Sequence, residues 1–215
     1  MLRKTLCVAS LMLLTVAMST AATRKPKPNA VHVNTPPTRG SVVLFTNFSG
    51  AYPFWDTTTG YFVDGSNFFN QVLAGGFTPA SNVTFADVAM ALGIYTPGGS
   101  AKYGKIQAYL ETDAGGQPGS VIDGPLTQGY FVQDFQDGKG GGIVQFNCVT
   151  CPSLTAGTPY WVVAAQSQPR VEDTWDFADT DVSSGFAFNQ TGSINGPWYV
   201  VASGYTRMAW QADGN

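Results

Sequence analysis

Five carboxylates crowd one short stretch of the chain: Glu172, Asp173, Asp176, Asp179 and Asp181, interleaved with Trp175 and Phe177. Two acids facing each other across a glycosidic bond can hydrolyse it, one as general acid and the other as nucleophile or base. The same oxygens could instead hold Ca²⁺, which takes six to eight oxygen ligands, although the spacing is not that of an EF-hand loop. The third reading is a solvated acidic loop. Five tryptophans form a second group, Trp55, Trp161, Trp175, Trp198 and Trp210. Indoles bury large areas and ordinarily fill cores. Trp161 fits that role, whereas Trp55 and Trp175 stand in polar, loop-like surroundings, where exposed flat rings could stack on sugars. The third group is Cys148 and Cys151, in Asn147-Cys148-Val149-Thr150-Cys151-Pro152. In an exported chain such a pair forms a local disulfide. Zinc would need two further ligands, and the βαβ setting of a redox Cys-x-x-Cys pair is missing.

The single histidine is His32, near the N-terminus. The chain after Gly40 therefore lacks a Ser-His-Asp or Cys-His arrangement and any histidine metal site. It carries all 14 acids against Lys102, Lys105, Lys139, Arg170 and Arg207, a formal charge of 5 − 14 = −9. Phosphate backbones attract the opposite sign, so nucleic acid is not an expected partner.

These residues need a scaffold, and the chain before Gly40 does not supply it. Arg3 and Lys4, the apolar run Thr5–Met18, and Ser19-Thr20-Ala21 have the layout of a secretory signal peptide over residues 1–21. The run is shorter than the roughly 18 residues of a membrane-spanning helix, so no membrane span is expected after cleavage. Residues 22–40 hold Pro26, Pro28, Pro36 and Pro37 with Arg24, Lys25, Lys27 and Arg39 and no acid, which reads as an extended, solubilising linker.

Residues 41–215 read as one domain. Alternation and short apolar runs between turn signals predict strands over Ser41–Phe48, Gln71–Thr78, Asn82–Tyr95, Tyr103–Thr112, Leu126–Gln133, Gly142–Asn147, Thr174–Ala178, Gly185–Asn189, Trp198–Ser203 and Arg207–Ala212. Ala51–Phe69 reads as loop with one or two short strands. In Asn82–Tyr95, Val88, Met90, Leu92 and Ile94 share one face, and Asp87, Ala89, Ala91 and Gly93 the other. Leu154–Ala165 (LTAGTPYWVVAA) is apolar on both faces, so it is expected to be a central strand covered on both sides. Asp113–Gly119 and Asn195-Gly196 are turns. About ten to twelve strands at such spacing predict an all-β fold, a two-sheet antiparallel β-sandwich of jelly-roll-like form.

Three stretches carry a resemblance: Phe77-Thr78-Pro79 with the strand after Val83, Ala108–Gly119 (AYLETDAGGQPG), and Leu154–Val163 (LTAGTPYWVV). In order and spacing they resemble the secreted bacterial β-sandwich domains of the choice-of-anchor kind, R type, over most of Val42–Asn215. The resemblance implies a sandwich fold and an extracellular site, and no defined activity. The chain ends at Met208–Asn215 without the hydrophobic tail or sorting motif such domains use as anchors. The expectation is thus an exported, non-catalytic β-sandwich with a structural or interaction role at or beyond the cell surface, its partner an extracellular polysaccharide or a surface protein, and with no cofactor unless a structural Ca²⁺. The alternatives are a carbohydrate-binding module using Trp55, Trp175 or Trp198, supported by Ca²⁺ at Glu172–Asp181, and a glycoside-active enzyme using that acidic loop.

Overall fold

A computed structural model of the chain describes residues 40–48, 55–64, 70–95, 106–134, 141–166, 172–178, 185–201 and 205–215. The expected signal peptide, nearly all of the linker, Asp179, Asp181, Lys102, Lys105, Lys139 and Arg170 lie outside the described residues. Fourteen strands follow one another: β1 (Val42–Thr46), β2 (Trp55–Asp64), β3 (Val72–Phe77), β4 (Val83–Tyr95), β5 (Ile106–Asp113), β6 (Pro118–Asp123), β7 (Thr127–Asp134), β8 (Gly141–Asn147), β9 (Ser153–Leu154), β10 (Tyr160–Gln166), β11 (Glu172–Ala178), β12 (Gly185–Asn189), β13 (Tyr199–Val200) and β14 (Trp210–Gly214). They form two antiparallel sheets packed face to face, as the alternation predicts. Consecutive strands repeatedly switch sheets, in the jelly-roll manner.

The first sheet is organised on β4, whose long alternating run gives it room for four partners. One edge pairs with β14 over Phe85–Met90 and with β11 over Leu92–Tyr95, and the other with β8 and the short β9. β1 then pairs with β14, β2 with β11 and β7 with β8. Where β14 and β11 meet, Ala91 N–H donates to the Ala209 carbonyl (3.0 Å) and Ala209 N–H to the Asp176 carbonyl (2.8 Å), which closes the fork. The second sheet runs β13-β12-β3-β10-β5-β6. β10 is its centre and is buried along nearly its whole length, with Tyr160, Val162 and Ala164 in the core between the sheets and Trp161, Val163 and Ala165 packed on the outer face. Leu154 does not belong to this strand. It lies on β9 and pairs with Val83 in the other sheet.

The core between the sheets is strongly aromatic. Trp210 meets Trp175 edge-on (6.3 Å between centroids, 70°) and Phe77 likewise (5.8 Å, 77°), the geometry that aromatic quadrupoles favour. Gly75 makes room for the Trp210 indole, since a Cβ there would lie 2.9 Å from its ring. Two strands escape the sequence pattern. β6 begins at Pro118 inside the expected turn, and β9 is only two residues long. Ala51–Phe69 contains a ten-residue strand rather than short ones, and among the described residues of Trp198–Ser203 the strand is Tyr199–Val200.

Candidate functional site

The outer face of the β4 sheet carries the most concentrated polar chemistry of the described residues. Its origin is period-two alternation. On β14, Trp210 and Ala212 enter the core, so Gln211 and Asp213 face outward. On β4, Val88 and Met90 enter, leaving Asp87 and Ala89 outward. On β8, Val144 and Phe146 enter, leaving Gln145 and Asn147 outward. Register aligns these residues. Asp213 lies opposite Asp87, which lies opposite Asn147. In the next row Gln211 and Gln145 flank Ala89. Ala91, Ala209 and Ile143 continue the face as a low apolar floor, against which Phe48 packs.

The two carboxyls form a coupled pair. Gln211 Nε2 donates to both oxygens of Asp213 at 3.0 Å each. Burial nevertheless pushes the Asp213 carboxyl up to about 7. The Gln211 hydrogen bond opposes that shift, and the neighbouring Asp87 carboxyl, both by its charge and by hydrogen bonding, adds to it. Two close carboxyls cannot both ionise cheaply, so the pair shares a proton near neutral pH. Beside them, Gln145 is 1% exposed, and neither its Nε2 nor its Oε1 has a hydrogen-bond partner; Asn147 Oδ1 also lacks one. Buried carboxamides are normally paired, because leaving one unpaired costs about 1–3 kcal/mol. Gln145 and Asn147 thus hold unpaired amide atoms next to the carboxyl pair, an arrangement that offers donors and acceptors together.

The acids of 172–181 do not come together. Residues 172–178 form strand β11, which contains the expected strand Thr174–Ala178 and takes in Glu172 and Asp173 from the expected acidic loop, and its alternation sends Asp173 and Asp176 to opposite faces. Asp173 accepts from Gln166 Nε2 (2.7 Å) in the interior, and burial pushes it up to about 6 against the lowering effect of that bond. Asp176 instead accepts from Thr174 Oγ1 (2.8 Å), over Gly93. These two cannot share a calcium ion or flank one glycosidic bond. The chain of Glu172 belongs to β11, and nothing further is described of its side chain. Among the described residues no group of three or more His, Cys, Asp or Glu is placed to hold a metal.

The tryptophans separate as well. Trp175 is 0% exposed in the core, its Nε1 donating to the Ala209 carbonyl (3.0 Å), so the expected stacking role is corrected. Its polar neighbours in sequence are the outward half of an alternating strand. Trp198 is half-buried and packs on the outer face of the β10 sheet beside Trp161 and Val163. Trp55 opens β2, without a described side chain. Cys148 and Cys151 form the expected disulfide. Its loop is fastened by Asp123, which accepts from Val149 N–H (3.0 Å), Thr150 N–H (3.0 Å) and Thr150 Oγ1 (3.1 Å). The polar group of Asp87, Asp213 and Gln145 was not singled out from sequence, because only the pairing of β14 and β8 with β4 assembles it. The one available signal is polar residues at alternate positions of otherwise apolar strands.

No helix of the described residues is long and apolar enough to cross a membrane. Compared with known protein families, curated proteins and solved structures, the chain finds no match, so the disulfide-bearing antiparallel sandwich and its buried polar row are what define it.

Proposed function

We propose that this is an exported, non-catalytic binding domain that takes a hydroxyl-rich ligand, an extracellular polysaccharide, on the outer face of the β4 sheet. The observation that carries the reading is Gln145, a buried carboxamide with both polar atoms unpaired beside the Asp87–Asp213 pair. A hydroxyl donates and accepts at once, and so do carboxamides and a carboxyl pair holding one proton. Beside this group Ala89, Ala91 and Ala209 form an apolar strip, so the polar atoms stand next to a surface that suits the C–H face of a sugar ring. The local disulfide and the resemblance to choice-of-anchor domains support an extracellular location.

The test is a polysaccharide panel titrated into the full chain, repeated with Gln145→Leu. This variant removes an unpaired amide and so keeps the fold. Saturable binding by one sugar class, lost in Gln145→Leu, is the expected result. An absence of sugar binding, or binding indifferent to Gln145→Leu, refutes it. The shared proton of the carboxyl pair favours one second reading, acid–base hydrolysis of the bound saccharide. In that case Asp213→Asn abolishes turnover while binding persists.

A further inference from the structure

The opposite sheet holds an acid that no structural role accounts for. Glu111 lies on β5, facing away from the core, and is 0% exposed. Other buried acids have work to do: Asp123 fastens the disulfide loop, Asp213 is held by Gln211, and Asp173 by Gln166. Both oxygens of Glu111 lack a hydrogen-bond partner. A buried carboxyl without donors is costly and rare, and such an exception needs an explanation.

Its surroundings suggest one. Trp161 on β10 is the cross-strand partner of Glu111, and Tyr109 lies two residues away on the same face. Trp161 is fixed in place. Its Nε1 donates to Asp113 Oδ1 at 2.8 Å, and its six-membered ring lies against Gly76 and Gly185, where a Cβ would be tight at Gly76 (3.2 Å) and would collide at Gly185 (2.7 Å). On the other side, the ladder from β5 to the edge strand β6 shifts register both before and after Glu111. Irregularities of this kind re-aim a side chain or open a sheet edge. Val121, opposite Glu111 on β6, is partly exposed, so one residue separates the acid from that sheet edge.

We propose that Glu111, Trp161 and Tyr109 form a binding site for an alkylammonium cation, separate from the polar row on the other sheet. An unpaired carboxylate supplies the counter-charge, and aromatic faces attract the cation's surface and exclude water. A hydrated metal ion is a poor fit, because one carboxylate and two aromatic rings cannot replace its oxygen shell. The groups facing Glu111 are Tyr109 and Asp113 on its own strand, Trp161 and Val163 on β10, and Val121 on β6. None of the described ones is cationic. Burial pushes the Glu111 carboxyl up to about 8. At neutral pH the site is therefore protonated, and binding the cation releases that proton to solvent, leaving carboxylate and ammonium paired.

The experiment is a titration of the ¹⁵N-labelled full chain with tetramethylammonium and n-butylammonium chloride, following the Trp161 indole N–H. Sodium chloride and n-butanol are the controls. The expected result is a saturable shift by the two ammonium ions alone. Apparent affinity should rise about 50-fold from pH 6 to pH 8, following the ionised fraction of a group titrating near about 8. Glu111→Gln, whose carboxamide has nearly the shape of the protonated acid but cannot ionise, should lose the shift while the rest of the spectrum keeps its native dispersion. No saturable shift, an equal response to n-butanol, or undiminished binding in Glu111→Gln overturns the proposal.

Discussion

Asp213→Asn tests the carboxyl pair through stability alone. In the folded protein Asp213 titrates near about 7 rather than at its ordinary 3.8. Below pH 4 the carboxyl is protonated in both folded and unfolded chains, and the shift costs nothing. As pH rises, the unfolded chain ionises first while the folded one holds its proton, so folding loses stability up to the folded titration. The slope is about 1.4 kcal/mol per pH unit. Across a window of roughly three units the loss comes to about 4 kcal/mol, an upper bound because the proton is shared with Asp87. Asparagine cannot ionise, so the variant escapes this loss. Glu111 and Asp173 also titrate high, so the informative quantity is the difference between the two proteins. Urea unfolding from pH 4 to pH 8, followed by tryptophan fluorescence, measures it. Wild type should lose stability relative to Asp213→Asn steadily between pH 4 and pH 7, and not further above. Parallel stability curves would refute the reasoning.

Three further outcomes follow from packing and hydrogen bonds. Asp123→Asn keeps one acceptor of two and loses the charge that holds Val149 and Thr150, so it should cost about 2 kcal/mol in urea unfolding with the disulfide intact. Trp175→Ala opens a cavity beside Trp210 and should cost about 3–5 kcal/mol. Saccharide binding per folded molecule should not change, since the indole reaches no surface. Gly185→Ala places a Cβ 2.7 Å from Trp161 Cη2, and the ring has Asp113 and Gly76 limiting its retreat. A loss of about 1–3 kcal/mol in thermal unfolding, with a displaced Trp161 indole resonance, is expected.

The strands legible in the sequence are those whose alternation is local. Val83–Tyr95 and Gly185–Asn189 could be read directly, as could the double-sided burial of Tyr160–Ala165, because side-chain type reports which face is wet. Pro118–Asp123 was hidden, since glycine-rich turn chemistry and the start of an edge strand use the same residues. The acidic stretch misled for a related reason. The five acids suggest one shared loop even though Thr174–Ala178 reads as a strand, and once that strand alternates, Trp175 belongs to the core and Asp173 and Asp176 part to opposite faces. The polar row was illegible on different grounds. Asp87 and Asp213 are neighbours only by register between β4 and β14, and no local pattern encodes a pairing between such distant segments.

The placement of β14 has a bearing on the order in which the molecule can be assembled. Among the described residues β1 finds its sheet partner only in β14, and Asn47 bonds to Trp210 across 163 positions of sequence. At a synthesis rate of about 5–20 residues per second, roughly ten to thirty seconds separate the appearance of the first strand from that of its neighbour. Until β14 emerges, β1 and the Phe85–Met90 stretch of one edge of β4 stay open, and Trp175 and Phe77 lack the Trp210 ring that joins them. Such a chain reaches its native sheet late, and a late-folding chain is one that an export channel for unfolded polypeptide can still accept.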